Sequence, residues 1–357
     1  MTERSFIRQK AVIKNIESNL IETNEHIPMK IAVFSTKSYD QEYFEKYGKD
    51  ASNSFSFFET ALTSDTANLS IGFDVICAFV NDIVDKKTIE ILSKSGVKLI
   101  ALRCAGFNNV DIEAAKNNDI KVVRVPAYSP EAVSEHAVAL ILTLNRKTHK
   151  AYNRVREGNF SLKNLIGFNL NGKTIGVIGT GQIGKTFCQI MKGFGCKIIA
   201  FDVLKSEELI ALGVRYLPLQ EVFKQSDILS LHCPLNSNTK HIINKDAIAL
   251  MKEGVMIINT SRGALINTSD VIQGLSNKKI GYLGIDVYEQ EENLFFEDFS
   301  ERIIPDDLLL RLNSFPNVLI TSHQAFFTKE AMAEITTTTL DNIKAFEKNQ
   351  ELVNEVK

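Results

Sequence analysis

The sequence predicts an α/β protein built of two doubly wound parallel sheets. Three observations carry that prediction. Short β-branched runs alternate with helix-compatible segments along most of the chain, the pattern of βαβ units. One such run, Ile175–Ile178, ends in Gly179-Thr180-Gly181-Gln182-Ile183-Gly184, a glycine turn leading into helix-compatible sequence as far as Gly193. And 357 residues suffice for two domains with separate cores.

Each glycine of that turn has its own reason. Gly179 lets the chain turn sharply, Gly181 lets backbone approach a pyrophosphate, and Gly184 lets the helix pack closely on its strand. The helix N-terminus then offers unpaired N–H groups and a positive dipole end to phosphates. Cys196–Phe201 reads as a second strand ending at Asp202, 18 residues after Gly184. A carboxylate there accepts hydrogen bonds from an adenosine ribose and repels a 2′-phosphate. The unit is therefore read as a Rossmann-like dinucleotide-binding domain that takes NAD rather than NADP.

Composition excludes several partners. Lys and Arg number 41 against 43 Asp and Glu, a net charge of −2, so no basic field points to nucleic acid. No apolar run reaches the roughly 18 residues a membrane span needs. The five cysteines, Cys77, Cys104, Cys188, Cys196 and Cys233, are odd in number, sit in apolar runs and form no CxxC. They read as reduced thiols of a cytoplasmic protein, and no metal site is expected. Residues 1–28 form an N-terminal extension of no assigned role, because strand-like sequence begins only after Met29.

From Met29 to Pro126 the expected strands are Ile31–Phe34, Val75–Val80, Leu99–Leu102 and Lys121–Val125. Helix-like segments Asp40–Gly48, Lys86–Lys94 and Asp111–Asn117 lie between them, with Asp111 as an N-cap. Ser129-Pro130-Glu131 then opens a long helix, serine capping and proline in the first turn. Its apolar residues are Val133, Ala137, Leu140, Ile141 and Leu144, followed by charge through Arg156. Either a subunit interface or a core helix explains that stretch. Six further strands are expected at Ile175–Ile178, Lys197–Phe201, Ile228–Leu231, Met256–Asn259, Ile280–Val287 and Val318–Ile320, and the last 30 residues read as helical.

Functional groups in open parallel sheets gather at the carboxyl ends of strands. That rule singles out Cys233-Pro234, Thr260-Ser261-Arg262-Gly263, Asp286 and Ser322-His323. A carboxylate inside GYLGIDVYE must be paired or hydrogen-bonded to be buried. Glu291 lies in a charged run with Glu289 and Glu292, and spacing alone does not separate it from a solvated face. An imidazole suits the proton transfer of 2-hydroxy acid oxidation, and a carboxylate bonded to it favours the protonated form. Arginine offers a planar fork for a substrate carboxylate and can polarise the reacting oxygen.

From Met29 onward the chain resembles the D-isomer-specific 2-hydroxyacid dehydrogenases, and within them the fermentative D-lactate dehydrogenases. The motifs are collinear: LRCAGFNNVD (Leu102–Asp111), VPAYSPEAVSEHA (Val125–Ala137), GVIGTGQIG (Gly176–Gly184), LHCPL (Leu231–Leu235), NTSRG (Asn259–Gly263), GIDVYEQE (Gly284–Glu291) and SHQAF (Ser322–Phe326). The stretch Phe295–Val318 resembles the D-lactate branch specifically. The resemblance implies a discontinuous substrate domain, 29–127 with 324–357, around an NAD-binding domain at 128–323, with the substrate between them. It implies reversible hydride transfer between NADH and pyruvate giving D-lactate, in fermentative NAD regeneration. His323 matches the family's acid/base, Glu291 its carboxylate partner and Arg262 its substrate-binding arginine. Backbone N–H groups of Ala105 and Gly106 match the loop that holds the substrate carboxylate, and Tyr128 a tyrosine near the substrate. Gly179, Gly181, Gln182, Ile183 and Gly184 fall at the phosphates and Asp202 at the ribose. Cys233, Pro234, Thr239, Thr260, Ser261 and Asp286 fall along the rest of the cofactor. Gln182 and Thr239 depart from the residues usual in relatives. A homodimer is implied, with Ser129–Lys150 as the interface candidate.

Two other functions fit parts of the pattern. One is a broader 2-ketoacid, glyoxylate or hydroxypyruvate reductase. The other, of a different class, is an NAD(H)-gated corepressor-like binding protein, which can keep the same Arg, Glu and His. Phe295–Val318 argues against it.

Overall fold

The structure, a computed structural model, describes residues 28–49, 53–291 and 294–357. The extension expected over 1–28 lies, but for its last residue, outside them. The described residues divide into two compact units: those up to Val125 together with Thr338–Lys357, and those of 126–337.

The first unit is a parallel sheet in the order β2-β1-β3-β4-β5. Its strands are β1 (Lys30–Val33), β2 (Ser54–Phe57), β3 (Val75–Ala78), β4 (Leu99–Leu102) and β5 (Lys121–Arg124). Alternate side chains enter two cores, as a strand's period of two requires. Ala32, Phe34, Ile76 and Ile100 pack on one face. Ile31, Val33, Val75 and Leu99 pack on the other, joined by Ile343 from the returning chain. Helices α1 (Ser38–Tyr47), α2 (Lys86–Lys94) and α3 (Ile112–Asn117) cross over between strands, and Asp111 caps α3 through Ala114 N–H at 2.9 Å. β2 is a strand beyond the four expected; its Ser-Phe-Ser-Phe run is short and only half-buried. At the carboxyl end of β4, Arg103 is buried, 3.5 Å from Asp40 and bonded to the carbonyl of Ser35 at 2.8 Å. It anchors the start of the Cys104–Gly106 loop.

The second unit is a seven-stranded parallel sheet, β12-β11-β10-β9-β6-β7-β8. These are β6 (Thr174–Ile178), β7 (Lys197–Phe201), β8 (Arg215–Tyr216), β9 (Ile228–Leu231), β10 (Val255–Asn259), β11 (Ile280–Ile285) and β12 (Val318–Ile320). The order reverses between β6 and β9, which opens a crevice at their carboxyl ends. The extra strand relative to the six expected is β8, only two residues long. Val177, Ile198, Met256 and Ile258 join the core on one face of the sheet. Leu229, Leu231, Ile257 and Leu283 join that on the other. Behind them run α6 (Gln182–Gly193), α7 (Glu207–Ala211), α8 (Leu219–Gln225), α9 (Lys245–Leu250), α10 (Thr268–Ser276) and α11 (Asp307–Asn313). The last helix, α12 (Lys329–Glu347), starts here and ends in the first unit.

The long helix expected from Ser129 is two helices. Ser129 caps α4 (Pro130–Arg146), its Oγ accepting from Ala132 N–H at 3.1 Å. Lys147 then adopts a left-handed φ of 51°, which ends α4 and starts α5 (Thr148–Arg156) at a new angle. The apolar residues of α4, Ala137, Leu140, Ile141 and Leu144, are buried in this unit's own core. They make a core helix. Exposed apolar side chains come later, at Tyr152, Val155, Phe160, Leu162 and Ile166.

Ile258 of β10 is fully buried. Ile258→Ala should destabilise this unit by about 2–5 kcal/mol, seen as a lower urea midpoint in the loss of its circular dichroism.

Candidate active site

The crevice is shaped first by backbone that tolerates no side chain. Gly179 has φ 92°, and a Cβ there would stand 2.5 Å from the N of Cys233. A Cβ on Gly184 would stand 2.0 Å from the carbonyl oxygen of Gly179. By contrast, a Cβ on Gly181 would meet nothing within 4 Å. Gly181 is the N-cap of α6 and supplies no side-chain cap, so the N–H groups of Gln182 and Ile183 have no bonded partner among the described residues. A turn that is closed on two sides and open over a helix N-terminus fits a pyrophosphate.

Asp202 follows β7. Its Oδ2 accepts from Thr180 N–H at 2.5 Å and from the Thr180 hydroxyl at 3.1 Å, and its Oδ1 from Leu204 N–H at 3.1 Å. Tyr216 from β8 donates to the Thr180 hydroxyl at 2.9 Å. The acid is thus fixed beside the glycine turn, where a ribose would meet it.

After β9 come His232, Cys233 and Pro234. Burial pushes the Cys233 thiol up to about 11, so it stays protonated and is no nucleophile. Its carbonyl accepts from the Ser261 hydroxyl at 2.7 Å, tying the ends of β9 and β10. The Thr239 hydroxyl donates to Pro234 O at 2.6 Å, so it braces the 234–239 turn. After β10, Asn259 accepts from Ser261 N–H at 3.0 Å and donates to Arg262 O at 2.9 Å. These bonds aim the Arg262 side chain, whose Nη1 donates to Ser261 O at 2.7 Å and leaves its other donors unspent. The Thr260 hydroxyl is buried without a partner, an orphan that a polar substituent on a bound ring could satisfy.

Asp286, fully buried after β11, accepts from the Thr321 hydroxyl at 2.5 Å, Gln324 N–H at 2.9 Å and Ala325 N–H at 2.8 Å. His136 of α4 stands 3.4 Å away. Burial alone would raise its pKa, but the hydrogen bonds from His136, Thr321 and Ala325 hold it below the usual value. Asp286 also shapes the backbone that presents His323, whose N–H donates to Asp286 O at 2.7 Å. His323 has φ 52°, an uncommon conformation for a residue with a side chain. Its Nδ1 meets Glu291 Oε1 at 2.8 Å, and Glu291 Oε2 accepts from Tyr288 N–H at 2.7 Å. Both side chains are mostly buried, 16% and 22% exposed, so Glu291 is no solvated face.

One cavity in this unit is lined by Tyr128, Ile183, His232, Thr260, Ser261, Arg262, Asp286 and His323, together with Phe326. Arg262 and His323 therefore share a chamber whose wall continues to the glycine turn. Glu291 stands behind His323 and not in the wall. Gly179, Gly181, Gly184, Asp202, Pro234 and Thr239 lie further along the crevice, outside that chamber. Ala105 and Gly106 belong to the other unit; their N–H groups have no partner among the described residues, while Ala105 O accepts from Arg124 at 2.7 Å. Two further histidines, His136 and His232, have roles that residue spacing does not reveal. His136 serves Asp286. His232 bonds Ser230 through Nε2 at 2.8 Å, lies tilted 4.8 Å from the Phe187 ring, and keeps Nδ1 buried and unpaired. No signal in a single sequence marks such a histidine. Among the described residues no cluster suits a metal, and no helix is long and apolar enough to cross a membrane.

Comparison with known proteins places this geometry. The NAD binding domain of the D-isomer specific 2-hydroxyacid dehydrogenases matches residues 138–325. The D-lactate dehydrogenase of Escherichia coli strain K12 is 52% identical over 328 residues, 92% of this chain and all of that one. Among solved structures, the pyruvate reductase of Chlamydomonas reinhardtii superimposes with a TM-score of 0.87 at 45% identity, over 92% of this chain and 98% of its own. D-lactate dehydrogenase from Aquifex aeolicus, solved with NAD and lactic acid, gives 0.81 at 34% identity over 91% and 98%.

Burial holds the His232 pKa down at about 3, against 6.5 ordinarily. The unfolded chain takes up that proton as pH falls below 6.5 and the folded chain does not, so this stability is present above pH 6.5 and lost toward pH 3. Urea midpoints measured across that window should fall less steeply for His232→Phe than for the parent.

Proposed function

Because the chain belongs to the D-isomer specific 2-hydroxyacid dehydrogenase family, we propose that it is an NAD-dependent D-lactate dehydrogenase that reduces pyruvate in the fermentative direction. The observation that carries this reading is the 2.8 Å His323–Glu291 pair, with His323 and Arg262 in one chamber. The names of two relatives, D-lactate dehydrogenase and pyruvate reductase, support the substrate.

The roles follow from the atoms. Bound NADH supplies the hydride. Arg262, with Nη1 held by Ser261, offers its remaining donors to the substrate carboxylate and the carbonyl oxygen. Glu291 occupies Nδ1 of His323, which leaves Nε2 to protonate the oxygen of pyruvate as it becomes a hydroxyl. The imidazole is left neutral, its Nδ1–H still on Glu291, and reclaims a proton from solvent. In the oxidative direction the same nitrogen removes the hydroxyl proton. The Asp286 carboxylate holds the Gln324 and Ala325 N–H groups and its carbonyl that of His323, so it acts on His323 through position. The N–H groups of Ala105 and Gly106 suit a carboxylate oxygen, and Tyr128 closes one side of the chamber. The first unit is assigned to substrate and the second to the cofactor.

The exposed apolar strip from Tyr152 to Ile166 supports a homodimer, with the interface shifted beyond the core helix α4. Five buried cysteines, none of them in a disulfide, support a reducing, cytoplasmic setting.

The test is loss of NADH absorbance with pyruvate, followed by chiral analysis of the lactate. D-lactate is expected; no turnover with any 2-ketoacid would overturn the reading. His323→Gln should lower kcat by about 10²–10⁴-fold with NADH affinity preserved in a fluorescence titration. With Asp202 at the ribose, NADH should exceed NADPH in kcat/KM, and equal use would remove that assignment.

A further inference from the structure

The turn after β11 carries two glutamates two residues apart, and each takes a histidine. Glu291 takes His323; Glu289 Oε1 lies 2.5 Å from Nε2 of His241. The other oxygen of Glu289 accepts from the N–H of Thr268 at 3.1 Å and from its hydroxyl at 2.8 Å, at the start of α10. Burial opposes the charge on Glu289, but the bonds from His241 and Thr268 hold its pKa below the ordinary range. Both histidines sit at φ 52°, a conformation that surrounding contacts must maintain.

The second pair is joined to the first by a continuous path. His241 N–H donates to Ala264 O at 2.8 Å, and Ile243 N–H to Leu265 O at 3.1 Å, so the 241–243 segment is knitted to the chain just after Arg262. A Cβ on Gly263 would stand 2.1 Å from the carbonyl carbon and oxygen of Tyr288 and 2.4 Å from the N of Glu289. The backbone following Arg262 therefore lies flush on the turn that carries both glutamates. From that turn Tyr288 N–H reaches Glu291 Oε2 at 2.7 Å.

We propose that His241 and Glu289 are a positioning pair, which presses the 288–291 turn onto Gly263 and so fixes Arg262 relative to Glu291 and His323. His241 and Glu289 do not line the chamber and touch no reacting atom. The Tyr288 phenol feels the charge of Glu289 and is itself held by Asp306 at 2.9 Å. The inference rests on the roles given above to Arg262, Glu291 and His323.

The test compares Glu289→Ala, His241→Ala, their double variant and Glu289→Gln, which keeps an acceptor for Thr268. Each alanine variant should lower kcat for pyruvate about tenfold, since small misplacements of reacting groups are amplified in rate. The double variant should be no worse than either single one, and Glu289→Gln should recover part of the loss. NADH dissociation constants should not change. Should an alanine variant fail to fold, Thr268→Val, which removes one hydroxyl from Glu289, carries the same kcat test. Near-parental kcat in the folded variants, even with a lowered melting temperature, would reduce the pair to a structural brace and overturn the proposal. So would NADH affinity falling in step with kcat. An unmodified protein inactive on pyruvate would instead count against the functional reading; an active one with indifferent variants counts against the pair alone.

Discussion

The site depends on backbone meeting backbone with nothing between. Gly184 lies against the carbonyl of Gly179, and Gly179 against the chain entering Cys233, so a methyl group at either place would part β6 from its neighbours. Because the sheet is parallel, every strand releases its chain toward the same edge. The close approach at the order reversal then lets the loops after β9, β10, β11 and β12 converge on one chamber. Gly263 repeats the device beneath Arg262, where its backbone rests on Tyr288 and Glu289.

Within that frame the charged groups are held by the chain itself more than by one another. Asp286 is bonded to two N–H groups and a hydroxyl, Glu291 to the Tyr288 N–H, Glu289 to the Thr268 N–H, and Asp202 to that of Thr180. For Asp286 and Glu289, fixed backbone N–H groups favour the charged form without a mobile counter-ion. Each carboxylate can then hold an imidazole or a hydroxyl in one orientation, so order passes from backbone to reactive nitrogen in two steps.

Much of this was legible in the residues. The glycine turn, the apolar strands and the caps at Asp111 and Ser129 are local features, set by backbone sterics and short-range hydrogen bonds, and they fall where the residues put them. Other features arise only from tertiary contacts. β2 and β8 lack an apolar run because each lies at a sheet edge and is half exposed. The break at Lys147 has no sequence signature, since a lysine gives no hint of a left-handed φ; the turn is secured from afar by its ammonium on Asn164 and Ile166 carbonyls. Glu289 and Glu291 are equivalent in a charged run, and only the fold decides which histidine each receives. His136 and His232 stand inside recognisable motifs, but His136 finds Thr321 and Asp286 far along the chain, and His232, bonded to nearby Ser230, leaves its Nδ1 buried without a partner.

The Thr180–Asp202 contact bears on how cofactor choice could change. The carboxylate that would turn away a phosphorylated ribose also accepts the amide and hydroxyl of Thr180, inside the glycine turn. Exchanging the acid for a small neutral residue would thus strand a donor within the phosphate loop while opening room beyond it. Acceptance of the larger coenzyme is therefore a property of the 180–202 couple, with the Tyr216 phenol as its third member, and would have to be redesigned at all three positions together.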